Sequence, residues 1–332
     1  MNLKLDHNKC MAAILGLIVG DALGVPVEFE SRSSLKEDPV TDMRAFGTHN
    51  QPAGTWSDDS SMMLATMEWL REIDPQAPDY HLLMEKFSNW LNHGEYTPHG
   101  KVFDFGISTN NAIQNFNNGV APLNCGGTMD WENGNGSLMR ILPAALWCAK
   151  ELAEDDLTCE QFIFDLSALT HGHMRSKMAC LIYSKLIADL LFATDTNKMN
   201  IVENSLSFCK KHFEAKEQEE FLAEMEIFAR LWDVQAFRDI HEDDISSSGY
   251  VVHTLEAAIW CFLNTDNYKD CVLKAVNLGS DTDTVAAVAG GLAGIFYGMD
   301  EIPKEWVEIL AKKDWICTVE KLFVSAIMFK SM

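Results

Sequence analysis

The sequence has no Cys-x-x-Cys pair, and its nine cysteines stand singly between Cys10 and Cys317. An odd number of dispersed cysteines supports neither a disulfide framework nor a zinc site. Free cysteines are typical of proteins that work in a reducing compartment. We therefore expect a cytoplasmic protein without structural disulfides or cysteine-bound zinc.

Basic residues are also scarce, since 26 lysines and arginines face 49 aspartates and glutamates, for a formal net charge of −23. Nucleic acids and anionic membranes bind proteins through basic patches, which this composition does not provide. We therefore expect neither of them as a partner. The same charge would repel a phosphate-bearing ligand, and bound cations would solve that problem.

Long hydrophobic runs are missing as well. Residues 11–20 are apolar, but Asp21 ends the run after ten residues, which is too short to span a bilayer. Asp6 and the absence of a clean cleavage site argue against a signal peptide. With 47% hydrophobic and 23% charged residues, the composition is that of an ordinary globular protein.

Alternation of apolar and polar residues at period two, the pattern of β-strands, is rare in this chain. No linker, repeat or low-complexity segment divides it. We predict a single all-α domain over residues 1–332, with residues 31–56 as a loop. Helices are predicted at 10–20, 62–72, 80–92, 105–118, 137–150, 158–170, 174–193, 199–214, 217–231, 248–264, 268–277 and 283–297, with two more near the C-terminus.

The motif Gly279-Ser-Asp-Thr-Asp-Thr284 precedes a run of small residues that includes Gly290, Gly291 and Gly294. Three glycines cost a helix roughly 3 kcal/mol relative to alanine, so we expect a neighbouring helix to approach closely and offset the loss. Ser280 or Asp281 could simply cap this helix. Two carboxylates and two hydroxyls are nevertheless more oxygen ligands than a cap needs, and hard divalent cations bind such clusters.

The motif Ser57-Asp58-Asp59-Ser60 repeats this arrangement before a second helix, and Glu28 follows a turn that contains glycine and proline. N-capping is again the alternative. If the five acids of the two motifs and Glu28 converge, each close pair repels by about 4 kcal/mol at about 4 Å and an effective dielectric of about 20. Two divalent cations that share a bridging aspartate would neutralise them.

Three segments, at 16–29, 56–60 and 279–284, resemble signatures of the ADP-ribosylglycohydrolase family. That family includes the dinitrogenase-reductase-activating glycohydrolase and the ADP-ribosylarginine hydrolases. Further segments agree in family order, so the resemblance runs from residue 16 to residue 298, and it implies a compact orthogonal multi-helix bundle. These further segments lie at 103–109, 133–140, 169–171 and 248–250.

The resemblance also implies a site for two Mg²⁺ or Mn²⁺ ions, with Asp283 as the bridging ligand. The implied metal ligands are Ser57, Asp58, Asp59, Asp281, Asp283 and Thr284. The implied catalytic residues are Asp104, Glu28 and Asp59. The implied substrate contacts in the glycine-rich loop are Gly134, Asn135, Gly136 and Ser137. This loop leads into a helix from about Ser137 and suits a diphosphate. His171 is an implied contact as well, and Tyr250 is implied as a platform for adenine.

The implied reaction is hydrolysis of the glycosidic bond between ADP-ribose and a modified side chain, with Asp104 or Glu28 assisting proton transfer. The substrate would be an ADP-ribosylated protein or an ADP-ribosyl small molecule. We expect an arginine linkage, because its guanidine leaving group is cationic and the chain is strongly acidic. Alternatively, Asp104 only caps the helix predicted from residue 105.

Two other functions stay open. The chain could be a family member that binds ADP-ribose or has a structural role without catalysis. It could also be a haloacid-dehalogenase-like phosphatase, because Asp281-Thr-Asp-Thr-Val285 fits the nucleophile motif of that class. In such phosphatases the motif must follow a hydrophobic strand, so the structure around Asp281 separates the two interpretations.

Overall fold

The computed structural model describes residues 3–74 and 77–330. Helices make up 67% of it, and the described residues form no strand, which confirms the all-α prediction. The helices are His7–Gly24 (α1), Arg32–Glu37 (α2), Asp58–Glu72 (α3), Tyr80–His93 (α4), Ile107–Asn117 (α5), Leu142–Trp147 (α6), Ala149–Ala153 (α7), Glu160–Ala168 (α8), Met174–Phe192 (α9), Lys198–Ala215 (α10), Glu219–Ile227 (α11), Val234–Arg238 (α12), Val251–Leu263 (α13), Tyr268–Asn277 (α14), Thr282–Tyr297 (α15), Lys304–Ile309 (α16) and Lys313–Lys330 (α17).

Helices α1 and α15 form the centre of the fold and lie antiparallel in very close contact. A Cβ atom at Gly20 would come 2.1 Å from the carbonyl oxygen of Ala286, and one at Gly290 would come 2.2 Å from the carbonyl oxygen of Gly16. At the end of α1, Gly24 packs against the backbone of Asp283. Gly290 and Gly294 of α15 thus face Gly16 and Ala12 of α1, whereas Gly291 faces the Tyr183 hydroxyl. The close approach offsets the low helix propensity of these glycines.

Helix α1 is longer than the apolar run from which it was predicted. The segment His7–Val27 is long and apolar enough to cross a membrane by length and composition, and 94% of its apolar window is buried inside the protein. Asp21 does not end the helix, because its buried carboxylate accepts hydrogen bonds from Ser57 and Ser60 at the start of α3. Burial on all sides accounts for the apolar composition of α1.

Several predicted boundaries are wrong. Helix α2 lies in the segment predicted as a loop, and no helix starts at Ser137. The chain forms turns from residue 136 to residue 140, and α6 begins only at Leu142. Pro143 explains this boundary, since proline is tolerated in the first turn of a helix and not further inside. Helix α5 likewise begins at Ile107, two residues later than predicted, with Gly106 at its N-cap.

Candidate active site

Three segments that are far apart in the sequence meet at one point: the turn after α1, the start of α3 and the start of α15. One carboxylate oxygen from each of Glu28, Asp281 and Asp283 lies within 4.8 Å of the others. The Thr284 hydroxyl donates to Asp59 over 3.3 Å and so joins α15 to α3. Three of the five acids predicted to converge therefore lie close together, and Asp59 is joined to them through Thr284.

The turn that carries Glu28 is joined to the start of α15 by two backbone hydrogen bonds. Phe29 N–H donates to the Ser280 carbonyl, and Ser280 N–H donates to the Glu30 carbonyl, each over 2.7 Å. Phe29 and Ser280 both have a φ of 66°, in the left-handed region that non-glycine residues enter at a cost. The fold thus retains two strained residues where Glu28 meets Asp281.

Asp21 organises the first turn of α3 from behind. Its carboxylate accepts from Ser57 N–H over 2.9 Å, from Ser60 N–H over 3.1 Å and from the Ser60 hydroxyl over 2.5 Å. Burial raises the pKa of Asp21 to about 6, although these donors oppose the shift. Asp21 therefore positions Ser57, Asp58 and Asp59 without facing the cavity itself.

The five acids predicted to converge are all buried, and none of their charges is balanced by a lysine or arginine. Among the described residues, the only ion pair of any of them joins Glu28 to His49. Burial comes first among the causes that raise the pKa values of Asp58, Asp59 and Asp283 well above the usual range, and repulsion by neighbouring carboxylates adds to it. Such a cluster is untenable as five bare anions.

The cluster fits divalent cations. Its ligands would be hard oxygens from carboxylates and hydroxyls, the donor set that Mg²⁺ and Mn²⁺ prefer. Asp59 supplies a further observation: its Oδ1 atom is buried and has no hydrogen-bond partner in the part of the chain that the structure describes. A buried carboxylate oxygen without a donor is costly unless a cation satisfies it. The residues present therefore fit a metal site, and the identity and number of ions stay predictions.

A second group of titratable side chains lies beside this cluster. Glu28 Oε2 and His49 Nε2 form a short hydrogen bond, and Glu28, His49 and Asp104 each offer one atom within 4.8 Å of the others. Burial raises the pKa of Glu28 to about 7 against the opposing bond from His49, and the bond to Glu28 raises the pKa of His49. The pair can therefore hold a shared proton near neutral pH.

Glu28 and Asp104 line a cavity of about 500 Å³ that has two chemically different parts. We call one part the acidic wall: Glu28, Asp58, Asp104 and Asp281. We call the other the glycine wall: Gly134, Asn135, Gly136 and His171. Asn135 connects the two walls, because its side-chain amide donates a hydrogen bond to the Asp281 carboxylate over 2.7 Å. Its backbone N–H donates to the Gly249 carbonyl.

The glycine wall depends on the absence of side chains at two positions. A Cβ atom at Gly136 would come 2.8 Å from the Thr109 hydroxyl and 2.9 Å from His171 Cε1, and one at Gly134 would come 3.2 Å from His171 Nε2. The loop therefore lies flat against the imidazole of His171. It does not lead directly into a helix, so the helix dipole predicted to act on a diphosphate from Ser137 is absent there.

Two predicted substrate contacts do not face the cavity. The Ser137 hydroxyl is buried, lies 3.0 Å from the Ser167 hydroxyl and accepts from Cys180. Tyr250 lies at the N-cap of α13, where its ring packs edge-on against His253 at 4.9 Å. The neighbouring Gly249 lines the cavity instead. A role for Tyr250 as an adenine platform stays a prediction, and it would require a ligand that extends beyond the lining residues.

The structure also decides between the alternative interpretations of the motifs. Ser57 does cap α3, since its hydroxyl accepts from Asp59 N–H. Asp281 occupies the N-cap of α15 but forms no capping hydrogen bond with its side chain, so capping does not account for it. Gly106, not Asp104, is the N-cap of α5. The segment 281–285 begins a helix and follows no strand, which excludes the phosphatase interpretation.

Sequence reasoning missed three residues of the site. His49 lies in the loop region, where no periodicity marks it. Asp21 ends an apolar run in the sequence, and an isolated acid between apolar residues and a Gly/Pro turn is a signal of a buried polar role. The Thr109 hydroxyl is buried at the cavity and has no hydrogen-bond partner within residues 3–74 and 77–330. Its motif was recognised, but nothing in the sequence indicated its orientation.

Comparisons with known proteins agree over nearly the whole chain. A family model described as ADP-ribosylglycohydrolase matches residues 3–328. The ADP-ribosylarginine hydrolase Tri1 of Serratia proteamaculans is 32% identical over 96% of this chain and 80% of its own length. The ADP-ribosyl-[dinitrogen reductase] glycohydrolase of Rhodospirillum rubrum is 28% identical over 92% of both chains. A solved structure titled ADP-ribosylglycohydrolase-related protein complex superposes with a TM-score of 0.74 at 27% identity, covering 98% of this chain and 99% of that chain.

Proposed function

The chain belongs to the ADP-ribosylglycohydrolase family, enzymes that hydrolyse glycosidic bonds, and we propose that it removes ADP-ribose from arginine side chains of modified proteins. The observation that carries the proposal is the cluster of Glu28, Asp281 and Asp283, two of which, Glu28 and Asp281, line a cavity of about 500 Å³. The arginine linkage is supported by the relatives named as ADP-ribosylarginine hydrolases and by the acidic wall.

The proposed cofactors are two Mg²⁺ or Mn²⁺ ions. Asp58, Asp59, Asp281, Asp283, Ser57 and Thr284 would hold them. When bound, divalent cations supply Lewis-acid chemistry that lowers the pKa of water. The donor set and the partnerless Oδ1 atom of Asp59 support this part of the proposal.

Hydrolysis breaks the bond between the anomeric carbon of the distal ribose and a guanidine nitrogen. The hydroxyl of water goes to the carbon, and a proton goes to the nitrogen. Asp104 is suited to attract the cationic guanidine, because no described residue donates a hydrogen bond to its carboxylate or pairs with it. The hydrogen-bonded pair of Glu28 and His49 lies beside it, so a group that can donate the proton needed by the leaving nitrogen is present at the acidic wall.

A protein substrate is supported by the surface around the cavity mouth. Phe29, Phe105, Ile107 and Trp131 line the cavity, and their side chains are 67%, 47%, 79% and 81% exposed. We call these four residues the apolar rim. Exposed apolar groups around a polar cavity are typical of surfaces that contact another protein. The occupant that fits is the part of the target protein next to the modified arginine.

The experiment compares release of ADP-ribose from ADP-ribosyl-arginine and ADP-ribosyl-serine at equal concentration, with and without Mg²⁺. We expect the arginine linkage to react at least about tenfold faster, or roughly 1.4 kcal/mol of differential transition-state binding. Asp104→Asn should remove most of this preference, whereas Asp266→Asn, at a fully exposed aspartate, should not. A preference for serine would contradict the arginine assignment. Binding without single-turnover release would indicate a catalytically silent member.

A further inference from the structure

Arg140 is a buried cation that forms no ion pair with a carboxylate among the described residues. It lies in the motif that forms the glycine wall and is fully buried. Its guanidinium carbon lies 4.9 Å from the centre of the Phe87 ring. Its Nη2 atom donates to the Leu166 carbonyl over 3.0 Å and to the Thr170 hydroxyl over 2.7 Å. Nε and Nη1 find no acceptor among the described residues. A buried arginine without an acid is costly, so a structural role alone does not explain it.

The hydrogen bonds around Thr170 have only one consistent set of directions. The Thr170 hydroxyl accepts from Arg140 and lies 2.9 Å from His171 Nδ1. A hydroxyl has one proton to donate, and arginine can only donate. If His171 Nδ1 carried a proton, Thr170 would accept twice, and its own proton would have no acceptor among the described residues. The Thr170 hydroxyl therefore donates to Nδ1, which leaves the single imidazole proton on Nε2.

The protonated Nε2 atom of His171 points toward Gly134 of the glycine wall. The closest atom to a Cβ built on Gly134 is His171 Nε2, at 3.2 Å, and both Gly134 and His171 line the cavity. The rest of the His171 ring is buried. Two hydrogen bonds to Ser167 fix the His171 backbone: His171 N–H donates to the Ser167 carbonyl over 2.8 Å, and the Ser167 hydroxyl donates to the His171 carbonyl over 3.0 Å. Nε2–H is thus a fixed hydrogen-bond donor at the surface of the glycine wall.

We propose that Arg140 and Thr170 are positioning residues, which act through His171 to present a neutral Nε2–H donor to an anionic oxygen bound at the glycine wall. The ligand group is an acceptor-only, negatively charged oxygen, and its identification as the diphosphate of ADP-ribose rests on the proposed function. Neither Arg140 nor Thr170 lines the cavity, so neither is a catalytic residue.

The electrostatics of the cavity give this arrangement a purpose. The acidic wall repels an anionic ligand, and the cavity lining contains no lysine or arginine. Arg140 supplies positive charge behind the glycine wall, in a low-dielectric interior where it is weakly screened. Burial and the charge of Arg140 lower the pKa of His171 to about 3, which agrees with a neutral ring. The donor therefore does not depend on protonation of the imidazole.

The test is the tautomer of His171 in protein free of ligand and metal, read from long-range ¹H–¹⁵N correlations of histidine-labelled protein and assigned with His171→Gln. We expect the Nε2–H tautomer in the wild type and in Thr170→Ser, which keeps the hydroxyl. Thr170→Val keeps the shape but not the donor, so we expect loss of the single tautomer. Thr66→Val is the control for fold, since Thr66 is a buried threonine whose hydroxyl donates within α3.

Calorimetric binding of ADP-ribose without metal gives the second readout. Thr170→Val should raise Kd about tenfold, as expected for one misdirected hydrogen bond, while Thr170→Ser and Thr66→Val should stay within about twofold. An Nδ1–H tautomer in the wild type would overturn the proposal, and so would an unchanged tautomer and Kd in Thr170→Val. If the wild type binds no ADP-ribose either with or without Mg²⁺ but shows the Nε2–H tautomer, the proposed function fails at this ligand while the relay through Thr170 stands.

Discussion

The acidic wall and the glycine wall line the same cavity, but the unpaired charges are negative at the acidic wall and positive behind the glycine wall. On the acidic side, buried carboxylates have no lysine or arginine partner among residues 3–74 and 77–330. Behind the glycine wall, Arg140 is buried, and no carboxylate in the same described part of the chain pairs with it. Each imbalance is costly in the isolated protein, and each is relieved by a different bound group: cations on one side, an anionic oxygen on the other. The comparison implies that the two walls can be disabled separately.

The largest effect is expected from Asp283→Asn, which removes a buried carboxylate in the first turn of α15. Turnover should fall by at least about 10³-fold, or roughly 4 kcal/mol, because Asp283 is the implied bridging ligand. The rise in Tm caused by Mg²⁺ should disappear, while ADP-ribose binding measured without metal should persist. Asp300→Asn, at an exposed aspartate, is the control. Near-wild-type turnover of Asp283→Asn at saturating metal would show that the bridge is misassigned.

The next effect concerns pH and stability of metal-free protein. Burial raises the pKa of Asp21 from 3.8 to about 6 and that of Glu28 from 4.5 to about 7. The native state therefore retains protons that the unfolded chain has lost, so the free energy of unfolding falls as pH rises through this window. We expect the Tm of chelator-treated protein to be lower at pH 8 than at pH 5.

Magnesium should oppose this fall, because binding replaces the protons. At pH 8 it should stabilise the fold by about 2.7 kcal/mol at a hundredfold excess over Kd. Glu256 and Glu320, whose pKa values burial raises to about 7 and about 8, lie outside the cavity lining and should give the same slope with and without metal. The difference between the curves of Tm against pH measured with and without Mg²⁺ therefore reports on the acidic wall and not on Glu256 or Glu320. A Tm that does not respond to millimolar Mg²⁺ or Mn²⁺ at pH 8 would contradict the metal site.

Asp58 and Asp281 of the acidic wall could be predicted from sequence because they lie in two local motifs at helix starts. Their partners could not. Gly20 and Ala286 are in contact although most of the chain separates them in sequence. Helical periodicity carries no information about which helices pair in this way. His49 reaches Glu28 from an irregular loop, and the charge of Arg140 is unbalanced only because of what surrounds it after folding. By contrast, Pro143 could have corrected the helix predicted from Ser137.

A smaller and complementary effect is expected at the glycine wall. A Cβ atom at Gly136 would displace Thr109 and His171, so Gly136→Ala should weaken ADP-ribose binding and raise KM about tenfold. The rise in Tm with Mg²⁺ should remain. The magnesium response of the same variant is the internal control, because Gly119 has a φ of 90° and Gly106 lines the same cavity, so neither glycine gives a matched substitution. If Gly136→Ala abolished the magnesium response as well, the two walls would not be separable.

The smallest effect is expected at the apolar rim, where Trp131 is 81% exposed at the cavity mouth. If this ring contacts the target protein, Trp131→Ala should lower kcat/KM for an ADP-ribosylated protein about fivefold, or roughly 1 kcal/mol. Release from free ADP-ribosyl-arginine should not change, because that substrate has no surface beyond the cavity. Phe329→Ala, at a 74% exposed aromatic outside the cavity lining, is the control. An equal loss on both substrates would instead place Trp131 against the ADP-ribose itself, since only a contact common to both substrates slows both alike.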